Sequence, residues 1–393
     1  MTQMKFKLTW KTIFLPAVGI LAFVLYLYLF NVDIPQIIET IRGINVPIYL
    51  LAAFLVVFEV FFFALSWHSL INFLSVKLSV LRSFLYVWYG IFMDIVIPAE
   101  SISGEISRVY LVTREQNGTS GKVVASLVIH RLMGMTINIV SLFAGLALLL
   151  IAGQVNGLVL NLTLFLIAVT IVFLVLMVLL CVKEQWTMEV VDALTRFVVY
   201  VSRGRWKLEK VREDVKKAAR MFHDSVKEFG RSPKTVAISI FFYALTWLCS
   251  LGVSYAVFAS LNFPVQWNVI IVTSSIVVAV KSIPIGVPFE VGLPEITMTT
   301  LYGALSPDMS LGIAATATIL NRLLTVWLRF FIGFAIQQWL EFTAIRSADT
   351  NIPEGASAQE KTKFSFSQVL NVVRNDNSHR KRFNPAFERS VRD

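Results

Sequence analysis

The chain has 393 residues, of which 56% are hydrophobic and only 15% are charged, whereas a soluble globular protein carries about 25% charged residues. Several apolar runs reach the roughly 20 residues that a helix needs to cross a bilayer, which excludes an ordinary soluble domain and points to one membrane domain. The net charge of +10 does not signal a nucleic-acid partner, because Lys and Arg concentrate in loops on one predicted side, as the positive-inside rule expects.

In chain order, the apolar runs predict membrane helices at 10–30, 46–71, 122–152, 157–182, 234–260 and 311–340. The basic residues before the first run suggest a signal sequence, but the run is too long for a signal h-region and no small-residue cleavage site follows; it reads as an uncleaved first helix. Two other apolar stretches do not read as simple spans. One is 84–98. The other, 267–303, is interrupted by Pro284, Gly286, Pro288, Gly292 and Pro294. Proline removes a backbone donor and glycine weakens helix, so both stretches are expected to be re-entrant hairpins. The segment 183–233 reads as a cytoplasmic amphipathic helical connector able to rest on an anionic membrane surface. Residues 342–393 read as a polar, disordered cytoplasmic tail.

Charge counting tests this topology. The proposed outside loops 31–45, 153–156, 261–266 and 304–310 hold one basic residue, Arg42, while the segment 183–234 holds 13 basic and eight acidic residues. All the basic segments fall on one side only if 84–98 returns to the cytoplasm and 267–303 returns to the outside. The expected fold is therefore all-α and integral to the membrane, with about six transmembrane helices. Two oppositely oriented re-entrant hairpins complete it as an inverted repeat, residues 1–182 and 234–341, in the plasma membrane with both termini cytoplasmic.

The repeat is visible in the charged residues. Pro98 is followed by Glu100 and Glu105, and Pro288 by Glu290 and Glu295, at the same spacing; Arg131 lies 26 residues beyond Glu105, and Arg322 lies 27 beyond Glu295. Chance similarity among apolar segments would match Leu and Phe rather than Pro, Glu and Arg. An ionised side chain at the bilayer centre costs about 2.5–3.5 kcal/mol on the lenient scale, so these groups need a reason. One is a buried ion pair within each repeat that fixes the hairpin. The other is a pair of anion-binding guanidinium groups facing a common cavity, since arginine's planar fork bonds two phosphate oxygens at once. The two readings are compatible if a phosphate displaces the glutamate. Glu59, Asp94 and Lys281 are further intramembrane ionisable residues and candidates for a proton relay. For Asp94 the other roles are pairing with Lys281 or closing the first hairpin. His130 and Arg131 point about 100° apart on a helix and need not share a cavity.

Other chemistry finds little support. Cys181 and Cys249 form no paired framework, and His68, His130, His223 and His379 are scattered, so no metal or other cofactor is expected. P-loop, G-x-S-x-G and H-E-x-x-H motifs are absent from the sequence, and an enzyme is not expected.

Gly104-Glu105-Ile106-Ser107-Arg108 resembles the G-E-x-x-R motif of the flippase-like family named after the membrane region of lysylphosphatidylglycerol synthase. Arg131, the stretch Pro284 to Glu290 with Glu295 beyond, and Asn321-Arg322-Leu323-Leu324 follow in the same order. The resemblance covers about residues 10–340, and no soluble aminoacyl-transferase domain is expected beyond it. It implies movement of a membrane lipid between leaflets, with Arg108, Arg131, Arg322, Glu100, Glu105, Glu290 and Glu295 binding substrate and with a possible partner enzyme that modifies lipid. A secondary transporter of a water-soluble anion is the competing expectation.

Overall fold

A computed structural model describes Pro35, Glu39 and residues 41–97, 102–154, 157–201, 209–281 and 292–349. The predicted first helix at 10–30, the tail beyond 349 and both predicted hairpin tips, with Pro98, Glu100, Pro284, Gly286, Pro288 and Glu290, lie outside the described residues. The chain divides into two compact units, residues 1–334 and 335–393, and the packing below is that of the first.

The described residues are helical, with no strand among them. The helices are α1 (Val46–Phe73), α2 (Val80–Val96), α3 (Ile102–Glu115), α4 (Ser120–Ile151), α5 (Gly157–Val182) and α6 (Glu184–Val201). They continue with α7 (Glu209–Gly230), α8 (Pro233–Ser260), α9 (Trp267–Lys281), α10 (Leu293–Leu305) and α11 (Leu311–Arg322). A π-helical turn (Leu323–Leu328) then leads into α12 (Arg329–Asp349). Five stretches are long and apolar enough to cross a membrane: α1, α4, Val159–Val182 within α5, α8 and the run Leu311–Thr343. They match five of the six predicted spans, and the chain is a multi-pass membrane protein.

Local sequence sets the helix starts. Asn45 and Ser79 accept the Ile48 and Arg82 amide protons at the starts of α1 and α2, and Ser310 does the same for Ile313 at α11; such side chains satisfy donors that a first turn leaves without partners. Proline stands in the first turn of α1, α8 and α10, where its missing N–H is no loss.

The axis of the fold is the antiparallel pair α1 and α8. At one end Asn45 N donates to the Ser260 carbonyl at 2.7 Å. Toward the other end Ser66 and Ser239 each donate to the other's carbonyl, at 2.9 and 3.0 Å. Ala52, Val56, Val60 and Ala64 are buried along α1. Small side chains and reciprocal hydroxyl bonds let two apolar helices approach where lipid supplies no hydrophobic drive.

Each axial helix is followed by two short helices that pack together, α2 with α3 and α9 with α10. Their lengths of 17, 14, 15 and 13 residues correspond to about 20–26 Å at 1.5 Å per residue, short of the roughly 30 Å hydrocarbon core. The helix after each short pair packs on the opposite half. On α4, Ser141 bonds Ser275 of α9 at 2.7 Å, and Gly145 abuts Ile271 and Val272. Reciprocally, Gly333 of α12 abuts Trp88 and Phe92 of α2, and the Phe92 and Phe330 rings lie 5.5 Å apart. The two halves are interlocked by the same exchange.

The predicted connector forms α6 and α7. Phe222 and Phe229 of α7 join a core with Leu70, Leu74, Ala125, Met133 and Cys181, and His223 Nδ1 meets the Cys181 carbonyl at 3.0 Å. Lys217, Arg220 and Lys227 of the same helix remain exposed.

Candidate functional site

The intramembrane charges sit where the short pairs meet the long helices. In the first half, α2 and α3 cross closely enough that a side chain at Gly104 would strike Asp94 and the Gly90 carbonyl. Asp94 Oδ1 accepts from Gly104 N at 2.6 Å and from Ser103 Oγ at 2.7 Å. A residue of α2 thereby satisfies the orphan donors at the start of α3. Of the roles open to Asp94, these bonds tie α2 to the start of α3.

With that duty taken by Asp94, Glu105 in the first turn of α3 is left to face α4. Arg131 Nη1 reaches both of its carboxylate oxygens, each at 3.3 Å. The two side chains are 33% and 23% exposed. This is a long contact through one nitrogen, and the guanidinium has three N–H donors on its other two nitrogens.

The second half builds the same pair differently. Gly292, just before α10, has φ +108°, a backbone region that favours glycine. Glu295 Oε2 accepts from Gly292 N at 2.6 Å, and Glu295 Oε1 accepts from Arg322 Nε at 2.5 Å. One carboxylate caps the helix and holds the arginine, and the side chains of Arg322 and Glu295 are only 8% and 4% exposed.

A third pair joins the halves. Glu59, midway along α1, accepts from Arg329 Nη2 at 2.5 Å, and both side chains are largely covered. Arg322 and Arg329 flank the π-helical turn. Seven residues of ideal α-helix would bring two side chains back to nearly the same face; the wider π turn rotates them apart, so Arg322 meets α10 while Arg329 meets α1. Single-turn π segments recur at functional sites. Lys281 stands in the last turn of α9, at the edge of the undescribed tip.

Arg108 completes the first-half cluster. It is buried at 6% exposure, lies over the Phe63 and Trp67 rings at 5.8 and 5.3 Å, and its Nε reaches the Gly104 carbonyl at 3.4 Å. Tyr243 of α8 stands within electrostatic range of Glu59, Arg108, Arg131 and Glu105. His130 packs on Phe63 and Tyr243, with ring centroids at 4.5 and 4.9 Å, about 100° around α4 from its neighbour Arg131.

The family profile described as "Lysylphosphatidylglycerol synthase TM region" matches residues 15–333. The chain belongs to this family. Every charged residue of the site, from Glu59 to Arg329, falls inside the matched span of this lysylphosphatidylglycerol synthase membrane-region family. The chain is also similar to a UPF0104 membrane protein of Pyrococcus horikoshii, 22% identical over 304 residues, or 76% of this chain and 89% of the relative. A second UPF0104 membrane protein, from Methanocaldococcus jannaschii, is 22% identical over 337 residues, or 84% of this chain and 95% of the relative.

The structure thus joins Glu105 with Arg131, Glu295 with Arg322, and Asp94 with the start of α3. Glu100 and Glu290 lie outside the described residues. Sequence reasoning missed Arg329 as the partner of Glu59, because 270 residues separate them and no local spacing links them. It also missed the Phe63, Trp67 and Tyr243 wall, since aromatic residues in an apolar helix carry no mark of which face they occupy.

Proposed function

We propose that this protein is a lipid flippase or scramblase that carries a phosphate-bearing lipid, of the phospholipid or polyprenyl-phosphate type, between leaflets of the plasma membrane. The two halves act as oppositely oriented copies of one unit, each short helical pair entering from its own face and returning. Helices too short to span, the reciprocal packing of the halves and the one-sided distribution of Lys and Arg all support this reading. Both termini then face the cytoplasm, and the α6–α7 connector rests against an anionic surface.

The observation that carries the function is the contrast between the two Glu–Arg pairs. Arg131 holds Glu105 through one nitrogen at 3.3 Å and remains one-third exposed, so most of its donor fork is free for phosphate oxygens. Exchange of Glu105 for a lipid phosphate keeps the guanidinium paired throughout, while the acyl chains stay in the bilayer. A phosphate so paired avoids much of the cost of crossing as a bare charge. Arg322, locked to the capping carboxylate of Glu295, holds the second hairpin in shape. The Glu59–Arg329 pair couples the two halves, and Glu59 is the carboxylate placed to take up a proton when they part.

The test is reconstitution of the full chain in liposomes with fluorescent phospholipids and polyprenyl phosphates. Wild type is expected to exchange label between leaflets, and Arg131→Ala to lose that exchange while remaining folded. Equal exchange by wild type and Arg131→Ala would remove the proposal. Flux of a water-soluble anion with no lipid exchange would favour a secondary anion transporter instead.

A further inference from the structure

Among the described residues, two buried side-chain nitrogens of the first half, on residues that border the same Phe63 ring, have no hydrogen-bond partner: Arg108 Nη1 and His130 Nε2. Their residues are 6% and 3% exposed, so surface water does not satisfy them. Arg108 lies over Phe63 and Trp67, and His130 packs edge-on against the same Phe63. The rings stabilise the face of the guanidinium and leave its in-plane N–H groups to point elsewhere. Tyr243 closes the wall, its hydroxyl reaching the α4 backbone at Gly134, where a side chain would collide with it.

The second half carries different residues at the corresponding two positions. In the register that puts Glu105 on Glu295, Met298 takes the place of Arg108; in the register that puts Arg131 on Arg322, Asn321 takes the place of His130. Met298 is a buried apolar side chain, and Asn321 Nδ2 donates to Ser254 Oγ at 2.9 Å. The same architecture therefore folds with no charge and no orphan donor at these two positions. A buried cation with an unsatisfied donor is costly, and here the alternative is present in the same chain.

We propose that Arg108 and His130, walled by Phe63, Trp67 and Tyr243, form an inner anion subsite for the phosphate of a lipid headgroup. The subsite rests on the lipid-transport reading and extends it inward from Arg131. Glu105 and Arg108 share one face of α3 at three-residue spacing, and Arg131 and His130 are neighbours on α4. A phosphate received by Arg131 thus has a second station along the same two helices. A tetrahedral phosphate offers separate oxygens to a guanidinium edge and to an imidazole N–H.

The test measures thermal unfolding of the full chain in detergent. Three probes are added: dihexanoyl phosphatidylglycerol, dihexanoylglycerol and inorganic phosphate. Wild-type Tm is expected to rise with the phospholipid, not with the phosphate-free glyceride, and less with inorganic phosphate. Arg108→Met and His130→Asn install the residues of the second half. They are expected to lose the phospholipid-induced rise and to melt, without ligand, at or above the wild-type temperature. Arg108→Lys, which keeps the charge but not the fork, should retain a smaller rise and serves where the Met variant fails to fold. Arg108→Met with a lower Tm and an intact phospholipid shift would overturn the proposal, because Arg108 would then be a structural cation on aromatic rings. Absence of any wild-type shift would also overturn it. An equal rise with inorganic phosphate would overturn the lipid as its source. Loss of leaflet exchange in Arg131→Ala, with exchange and Tm shift preserved in Arg108→Met, would discard the inner subsite and leave the transport reading intact.

Discussion

In the first half, the start of the second short helix is capped by Asp94 from the preceding helix; in the second half, the same task falls to Glu295, which also holds Arg322. Both halves contain a Glu–Arg pair at nearly the same interval, yet one is long and partly open and the other is short and covered. The lesson is about division of labour. A carboxylate that must also satisfy a helix start is held in place, whereas one relieved of that task can exchange partners. Placement of a single aspartate thus separates a clip from a candidate moving part.

The comparison breaks most sharply at the clip. Arg322→Ala leaves the Glu295 carboxylate buried without its cation and is expected to cost about 3–5 kcal/mol, read as a large fall in Tm in detergent. Glu59→Gln, which strips Arg329 of its counter-charge, is expected to cost about 1–3 kcal/mol. It should also make leaflet exchange less dependent on pH if Glu59 takes up a proton; an unchanged pH profile would remove Glu59 from that role. Asp94→Ala should cost about 0.5–2 kcal/mol, as loss of a helix cap does. It should also draw Glu105 toward the exposed helix start, so that exchange falls although Arg131 is intact. A normal exchange rate in Asp94→Ala would show that capping does not govern the first pair. The smallest stability effect is expected for Arg131→Ala, about 0–1 kcal/mol as for an exposed ion pair, together with the largest loss of lipid exchange. An equal fall in Tm for Arg131→Ala and Arg322→Ala would erase the distinction between the halves.

Much of the architecture was readable beforehand because bilayer crossing is a one-dimensional requirement. The runs at 46–71, 122–152, 157–182, 234–260 and 311–340 are apolar over enough consecutive residues, and each corresponds to a helix of that length. The short helices α2, α9 and α10 fall on or beside the two apolar stretches, 84–98 and 267–303, that did not read as simple spans. The candidate site was only partly legible. The equal spacing of Glu105–Arg131 and Glu295–Arg322 identified the pairs, but not which was tight, since that depends on whether Asp94 or the glutamate itself reaches the helix start. Nothing in the local spacing tied Glu59 to Arg329, 270 residues away.

By itself the amino-acid order determined the membrane class, the spans and the twice-used set of Pro, Glu and Arg, because hydrophobic length, backbone-breaking residues and residue intervals are local properties of a chain. Only the folded structure decided that Glu59 meets Arg329, that Glu295 does two tasks where Glu105 does one, and that Arg108 and His130 border one Phe63 ring with a nitrogen of each lacking a partner. Those outcomes depend on which helix faces touch after packing, and a π turn or a neighbouring cap changes them without leaving a signal in the spacing.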